Sequence, residues 1–274
     1  MSEKLARRPK LIATDLDGTV VAHYGSITQR TIDAFRKAHS LGIEIYFVTG
    51  RPPRWMPEIK EAFGIGNAIC GNGAMLYDLH NDKVLEEWLI PVDAQLEAVK
   101  RLRKVIPQIS FAVESHNYFH REKAYIPRWD VGLDNVGVEK IEEVVTSPAL
   151  KILARCSQQE LSSDEMLAIA LVELKDVVTV THSNPSDSLL EISALGVSKG
   201  MTLAKMAARL DIDAADCVSF GDNPNDFSML EWCGRSFAMA DGHPDGVKYA
   251  KGIAGPCEED GVAIIIEQLL ELPA

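Results

Sequence analysis

The segment Lys10-Leu-Ile-Ala-Thr-Asp15-Leu-Asp17-Gly18-Thr19 contains an apolar run that ends in two carboxylates and a Gly-Thr turn, and the fold can be inferred outward from it. In an extended chain, residues i and i+2 point to the same side, so Asp15 and Asp17 begin on one side of the strand. Two carboxylates that close repel each other unless a cation lies between them or one holds a proton. The pair therefore suggests a site for a hard cation such as Mg²⁺. The same pattern also occurs in ordinary turns, where Asp caps the turn and Gly supplies a positive φ.

Signals for strands and helices alternate on both sides of this segment. Apolar residues recur at helical spacing over 27–41, and the nearly continuous apolar run 43–48 is typical of a strand buried on both faces. Further strands are predicted at 67–70 and at 217–220. The sequence therefore predicts an α/β fold with a parallel sheet.

The middle of the chain follows a different pattern, which begins after Ile90-Pro91. Helices are predicted at 93–105, 139–146 and 163–174, strands lie between them, and a long loop is predicted at 115–137. These roughly 100 residues are enough for a separate domain. We therefore expect a core made of residues 1–89 and 194–274, with an α+β domain, residues 90–193, inserted between its two pieces.

Three polar turns follow predicted strands of the core, at residues 15–19, 49–51 and 221–226. Parallel α/β sheets bind ligands outside the carboxyl ends of their strands. Because these turns all follow strands, we expect them to lie on the same edge of the sheet.

Composition limits the classes of function that the protein can have. The chain of 274 residues has a formal net charge of −12, which argues against a nucleic-acid partner or an anionic membrane surface. Its five cysteines show no Cys-x-x-Cys pair, so neither a zinc knuckle nor a disulfide framework is expected. No apolar run has the length of a signal peptide or a membrane span. We expect a cytoplasmic protein; its oligomeric state stays open.

Four motifs together resemble those of the haloacid-dehalogenase-like (HAD) hydrolase superfamily. They are Asp15-Leu-Asp17-Gly-Thr19, Thr49-Gly50-Arg51, Lys199 and Gly221-Asp222-x-x-Asn225-Asp226. Asn72-Gly73-Ala74, Leu190-Glu-Ile-Ser and Gly196-Val-Ser-Lys-Gly200 resemble the Cof-type phosphatase branch of that superfamily. Each motif alone is weakly specific, but all four occur in order and at suitable spacing. The resemblance covers the whole chain and implies a Rossmann-like parallel-sheet core with an inserted α+β cap domain that selects the substrate.

The resemblance also implies a reaction, the hydrolysis of a small phosphorylated metabolite such as a sugar phosphate or a phosphorylated cofactor. Asp15 would attack the phosphorus and form an aspartyl-phosphate, while Asp17 would transfer protons. Mg²⁺ would be held by the carboxylates of Asp15 and Asp222 and by the backbone carbonyl of Asp17. The residues expected to bind the phosphoryl group are Leu16, Thr49, Gly50, Lys199 and Asn225.

Several alternatives remain open at this stage. Asp226 is expected to orient Lys199 or metal-bound waters, although it and Asn225 could also cap the following helix. Lys199 taken alone could be an exposed lysine at the start of a helix, and Arg51 could contact the substrate or form a salt bridge. A phosphomutase would use a similar aspartyl-phosphate, and a catalytically idle protein could keep the fold for binding or regulation. Neither of these would need water as the final phosphoryl acceptor.

Overall fold

The apolar run before Asp15 forms a fully buried strand. In the computed structural model, which describes residues 7–22, 25, 27–116, 118–128, 135–156 and 160–274, this strand is β1 (Leu11–Thr14). All four of its residues are buried, which explains why the sequence there is apolar rather than alternating. The buried strand ends at Thr14, so the chain delivers Asp15 directly to the edge of the sheet.

The other elements follow in chain order. The first third contains α1 (Gln29–Ser40), β2 (Glu44–Val48), α2 (Pro57–Phe63), β3 (Asn67–Cys70), β4 (Met75–Asp78) and β5 (Lys83–Glu87). The middle contains α3 (Val92–Val105), β6 (Ile109–Glu114), β7 (Phe119–Arg121), β8 (Lys151–Cys156), α4 (Ser163–Glu173), β9 (Val178–Thr181) and β10 (Leu189–Ala194). The last third contains α5 (Lys199–Arg209), β11 (Cys217–Gly221), α6 (Phe227–Trp232), β12 (Arg235–Met239), α7 (Gly246–Tyr249), β13 (Gly252–Ala254) and α8 (Gly261–Leu270).

The chain divides into two compact units. One comprises Met1–Arg51, Trp55–Glu86 and Ser198–Ala274, and the other comprises Pro52–Arg54 and Glu87–Val197. We call the first the core unit and the second the inserted unit. A chain that leaves the core unit after one piece and returns for the next has the topology of an insertion.

The core unit is built on an eight-stranded sheet in the order β13-β12-β11-β1-β2-β3-β4-β5. The strands from β13 to β3 run parallel, and β4 pairs antiparallel with β3. Phe35 of α1 packs against Phe47 of β2 and Phe63 of α2, with ring centroids 5.8 and 5.4 Å apart. The parallel-sheet α/β core predicted from the sequence is therefore confirmed.

The inserted unit has a five-stranded antiparallel sheet in the order β7-β6-β8-β10-β9. Alternate residues of its strands, such as Phe111, Ile152 and Ile192, join α3 and α4 residues in one hydrophobic cluster. The helices thus cover one face of this sheet, as in other α+β domains. The predicted α+β insertion is confirmed as a fold; its role as a substrate-selecting cap stays a prediction.

Two local predictions in the inserted unit were wrong. The helix expected at 139–146 is only a short 3₁₀ turn, Ile141–Glu143. Ser147 precedes Pro148, and a residue before proline is disfavoured in the helical region, which limits the space for a helix there. Within the loop expected at 115–137, residues Phe119–Arg121 form β7; Asn117 and residues 129–134 of that loop lie outside the described residues.

No helix in the described part of the chain combines the length and hydropathy required to cross a bilayer.

Candidate active site

The site-bearing turns of the core unit lie at the carboxyl ends of parallel strands. Asp15 follows β1, Thr49 follows β2 and Asp222 follows β11, and these three strands are neighbours in the sheet. The Asp15 N–H donates to the carbonyl of Phe220 in β11, at 3.0 Å. Parallel pairing therefore places motifs that are about 200 residues apart in sequence at one edge, as the sequence predicted.

Lys199 links two carboxylates at the centre of this edge. Its Nζ lies 2.5 Å from Asp15 Oδ1 and 2.6 Å from Asp226 Oδ1, and its side chain has no exposed surface. Ser198 caps α5 by accepting the N–H of Met201, so Lys199 is the first residue of a fixed helix. The interpretation of Lys199 as an ordinary exposed lysine is therefore wrong.

The charges of this cluster shift the acid–base behaviour of its members. Burial raises the pKa of Asp15 to about 7; Lys199 acts in the opposite direction, and Asp226 and Asp17 add to the increase. Burial alone would lower the pKa of Lys199, but the neighbouring charges of Asp15 and Asp226 raise it above the ordinary lysine value. Lys199 therefore keeps its positive charge at neutral pH.

Asp222 adds a third carboxylate beside Asp15 and Asp226. One oxygen from each of these three residues lies within 4.8 Å of the others. Burial of the Asp222 carboxyl, together with the charges of Asp15 and Asp226, raises its pKa well above the usual aspartate value, although the residue as a whole keeps some exposed surface. When all three carboxylates are ionised, their charge exceeds the single positive charge of Lys199 in a confined space. Oxygen donors with this charge fit a hard cation.

Asp226 uses both of its carboxylate oxygens within the protein. Oδ1 contacts Lys199, and Oδ2 accepts the backbone N–H groups of Asp222 and Asn223, at 2.9 and 3.1 Å. Asp226 therefore holds both the lysine and the turn that carries Asp222. Of the three clustered carboxylates, Asp15 and Asp222 are consequently the better candidates for metal ligands.

Asp17 has surroundings different from those of Asp15, although the two are only two residues apart. Its side chain is 61% exposed, and both oxygens accept from Arg51, with Nε–Oδ2 at 2.8 Å and Nη2–Oδ1 at 2.5 Å. Arg51 also contacts Glu58. Of the two alternatives for Arg51, the structure shows the salt bridge.

Gly18, in the left-handed region at φ +82°, leaves room for Asp222, because a Cβ there would lie 2.5 Å from Asp222 Oδ2.

The residues expected to bind phosphate lie around the same edge. Leu16 is buried, and its carbonyl accepts the N–H groups of the turn that follows it. Thr49 is buried at the end of β2, and its Oγ1 accepts the N–H of Arg51 at 3.1 Å, with Gly50 between them. Asn225 is buried, and its Nδ2 donates to Asn72 Oδ1 at 3.1 Å. These positions are compatible with the predicted roles, which stay predictions.

The sequence did not indicate a role at the candidate site for Asn72 or for Glu58. Asn72 is buried between two glycines in a turn after β3, on the same edge of the sheet. The Gly71-Asn72-Gly73 pattern could have indicated a left-handed turn, because Asn tolerates positive φ better than most residues. Nothing local in the sequence indicates that Glu58 contacts Arg51.

Comparison with known proteins identifies the family. Residues 12–266 match the family model described as haloacid dehalogenase-like hydrolase, so the chain belongs to this family. The chain is 27% identical over 281 residues to the HMP-PP phosphatase of Yersinia pseudotuberculosis serotype O:1b, covering 96% of each protein. The predicted class of enzyme, a hydrolase of the phosphatase kind, is thereby confirmed.

Solved structures show the same fold. SMU.1108c from Streptococcus mutans UA159 superposes with a TM-score of 0.79 at 20% identity, covering 96% of this chain and 99% of that one. The HAD subclass IIB sugar phosphatase BT4131 superposes with a TM-score of 0.77 at 20% identity, covering 94% of this chain and 98% of that one. The resemblance deduced from the four motifs therefore extends to the fold of the entire chain.

Proposed function

We propose that this protein is a Mg²⁺-dependent phosphatase that hydrolyses a small phosphorylated metabolite through an aspartyl-phosphate. The observation that carries the proposal is the buried arrangement of Asp15, Lys199 and Asp226 beside Asp222. Phosphoryl transfer requires a nucleophile in line with the leaving oxygen and positive charge around the equatorial oxygens. This edge of the sheet offers a carboxylate nucleophile and a fixed cation next to each other.

In the first step, an oxygen of Asp15 bonds to phosphorus while the bond from phosphorus to the leaving oxygen breaks. Asp17 donates a proton to that oxygen, so the alcohol leaves neutral. In the second step, water attacks the phosphorus, Asp17 takes a proton from it, and Asp15 is released with inorganic phosphate. Arg51 donates to both oxygens of Asp17 in this structure, so protonation of Asp17 would weaken this salt bridge.

Asp15 and Asp222, with the carbonyl of Asp17, would hold Mg²⁺, which when bound neutralises charge on the phosphoryl oxygens. Lys199 stays protonated and supplies a fixed positive charge next to Asp15. Asp226 holds Lys199 in place. Thr49, Gly50 and the backbone of Leu16 would donate to the phosphoryl oxygens.

The substrate class is part of the proposal. Two similar proteins are named as an HMP-PP phosphatase and as a sugar phosphatase, so a substrate screen should include HMP-PP, phosphorylated sugars and phosphorylated cofactors. The inserted unit would act as a cap that excludes water and selects among them. A cytoplasmic location stays a prediction.

The test measures phosphate release from a panel of phosphorylated metabolites and from a generic aryl phosphate ester. We expect Mg²⁺-dependent hydrolysis by the wild-type chain, no turnover after chelation, and no turnover by Asp15→Asn, because an amide is too weak a nucleophile to form the intermediate. Mass spectrometry should detect a phosphorylated Asp15 after rapid quenching. Turnover by Asp15→Asn would contradict the nucleophile assignment, and conversion of a sugar phosphate to its isomer would favour a phosphomutase.

A further inference from the structure

The turn between β3 and β4 has an unusual backbone. Gly71, Asn72 and Gly73 all lie at positive φ, at 59°, 57° and 106°. Glycine adopts this region freely, and Asn is one of the few residues with a side chain that adopt it routinely. Asn72 is buried in this turn, with only 2% of its surface exposed. A buried polar residue at the edge of the sheet that bears the candidate site suggests that its side chain has a role.

The contacts of this turn join three parts of the candidate site. The Asn72 N–H donates to the carbonyl of Thr49 at 3.0 Å. The carbonyl of Gly73 accepts the hydroxyl of Thr202, in the first turn of the helix that begins at Lys199, at 2.6 Å. Asn72 Oδ1 accepts from Asn225 Nδ2 at 3.1 Å. The turn is therefore fixed to the strand end that bears Thr49 and to α5, and its one side chain reaches Asn225.

The pairing of the two amides determines which face of Asn225 is available. The Nδ2 group carries two hydrogens, and Asn72 accepts one of them. The other amide atom, Asn225 Oδ1, is buried and has no hydrogen-bond partner among the described residues. Phosphoryl oxygens accept hydrogen bonds, so only the nitrogen of this amide can bind them. Rotation of the amide by half a turn would present Oδ1, which repels an anionic oxygen.

We propose that Asn72 is a positioning residue for the phosphoryl group. Its Oδ1 fixes the amide of Asn225, so that the second hydrogen of Nδ2 is directed to a phosphoryl oxygen. This inference rests on the proposed function, because it takes Asn225 as a phosphate-binding residue. Asn72 is assigned an effect on the phosphoryl group through Asn225, and this gives it a distinct signature in a double-mutant cycle.

The variants for the test are Asn72→Gly, Asn225→Ala and Asn72→Gly/Asn225→Ala, each made in the 274-residue chain. Glycine adopts positive φ without strain, so Asn72→Gly removes the amide and preserves the turn. Loss of a hydrogen bond to a charged group lowers an affinity or a rate constant by about 10–100-fold. We expect kcat/KM to fall by about this factor in Asn72→Gly, and Ki for inorganic phosphate to rise in parallel. In the Asn225→Ala background, Asn72→Gly should have no further effect.

Thermal melting separates this role from a structural one, because Asn72→Gly should melt within a few degrees of the wild type. Equal losses from Asn72→Gly in both backgrounds, or unchanged kinetics, would overturn the inference. A wild-type chain that hydrolyses no phosphate ester would instead contradict the proposed function. The inference would then be decided by NMR of the Asn225 side-chain amide during titration with inorganic phosphate. Phosphate should shift one Nδ2 proton in the wild type and neither in Asn72→Gly; unshifted protons in the wild type would overturn it.

Discussion

Lys199 is buried between two carboxylates, and each of the three charges depends on the others. Removal of one partner from a buried ion pair typically costs about 3–5 kcal/mol, because the remaining charge is left without compensation. In this cluster, the loss of Lys199 would leave Asp15 and Asp226 facing each other. The lysine therefore contributes to folding as well as to the proposed binding of phosphate.

Lys199→Met should therefore lower the free energy of unfolding by about 3–5 kcal/mol at pH 7 and abolish phosphate release. In Lys199→Met/Asp226→Asn one of the two opposed charges is also absent, while the asparagine keeps an oxygen for the N–H groups of Asp222 and Asn223. We expect the double variant to recover part of the stability and none of the activity. Urea denaturation monitored by circular dichroism measures the stability, and hydrolysis of the aryl phosphate measures the activity. A double variant that is less stable than Lys199→Met would contradict this account.

Asp17 and Asp15 should respond differently to the same substitution. Asp17 is exposed, and its pairing with Arg51 should contribute little to stability, as is usual for exposed ion pairs. Asp17→Asn should lower kcat by about 10²–10⁴-fold, because the general acid and base is lost. Its predicted metal contact uses the backbone carbonyl, so the increase in melting temperature on addition of MgCl₂ should persist. In Asp15→Asn that increase should largely disappear. If Asp17→Asn also loses its response to MgCl₂, the assigned metal contact is wrong.

The short turn at Gly71–Gly73 packs directly on the start of α5. A Cβ on Gly73 would lie 2.3 Å from the carbonyl oxygen of Ser198, which is backbone and cannot rotate away. Because Lys199 follows Ser198, any displacement of this contact moves the lysine. The close approach of a turn to a helix terminus therefore controls the position of a charged side chain.

Gly73→Ala should consequently lower both stability and activity. Gly42→Ala is the matched control, because Gly42 has a similar positive φ of 82° but a Cβ added there would meet no atom within 4 Å. The control should lose about 1–2 kcal/mol through backbone strain alone and keep its kcat. Gly73→Ala should lose more than the control, with a clear decrease in kcat. Urea denaturation and steady-state kinetics decide the comparison, and equal effects at the two glycines would show that the contact with Ser198 is unimportant.

Elements with a strong sequence pattern could be predicted, and elements that depend on distant partners could not. The apolar runs of β1, β2 and β11 indicated buried parallel strands, and their order placed Asp15, Thr49 and Asp222 at one edge. The three-residue strands β7 and β13 have no such pattern, because their pairing is set by neighbouring strands. Likewise, the pairing of Asn72 with Asn225 joins residues 153 positions apart. A local pattern contains no information about such a contact.

In the molecule as a whole, the core unit gathers three carboxylates at the edge of its sheet that bears the candidate site. The carboxylates of Asp15, Asp222 and Asp226 are close together, and burial, opposed by Lys199, raises the pKa of Asp15 from 3.8 to about 7. The unfolded chain therefore releases the Asp15 proton near pH 4, whereas the folded, metal-free chain retains it until about pH 7. Between these values the folded state binds more protons, so this group lowers the free energy of unfolding as pH rises. The raised pKa of Asp222 acts in the same direction.

The metal-free protein should therefore become less stable relative to Asp15→Asn as pH increases from about 4 to about 7, because the variant lacks the ionising group. Urea denaturation in the presence of EDTA at several pH values measures this difference, and Glu61→Gln, on the exposed surface of α2, should show no such trend.

A cation binds the ionised carboxylates and competes with protons, so MgCl₂ should raise the melting temperature more at pH 8 than at pH 5. Asp222→Asn should weaken that response. A response to MgCl₂ that is equal at both pH values, or unchanged in Asp222→Asn, would mean that the cation binds elsewhere and that the clustered carboxylates serve only the fold.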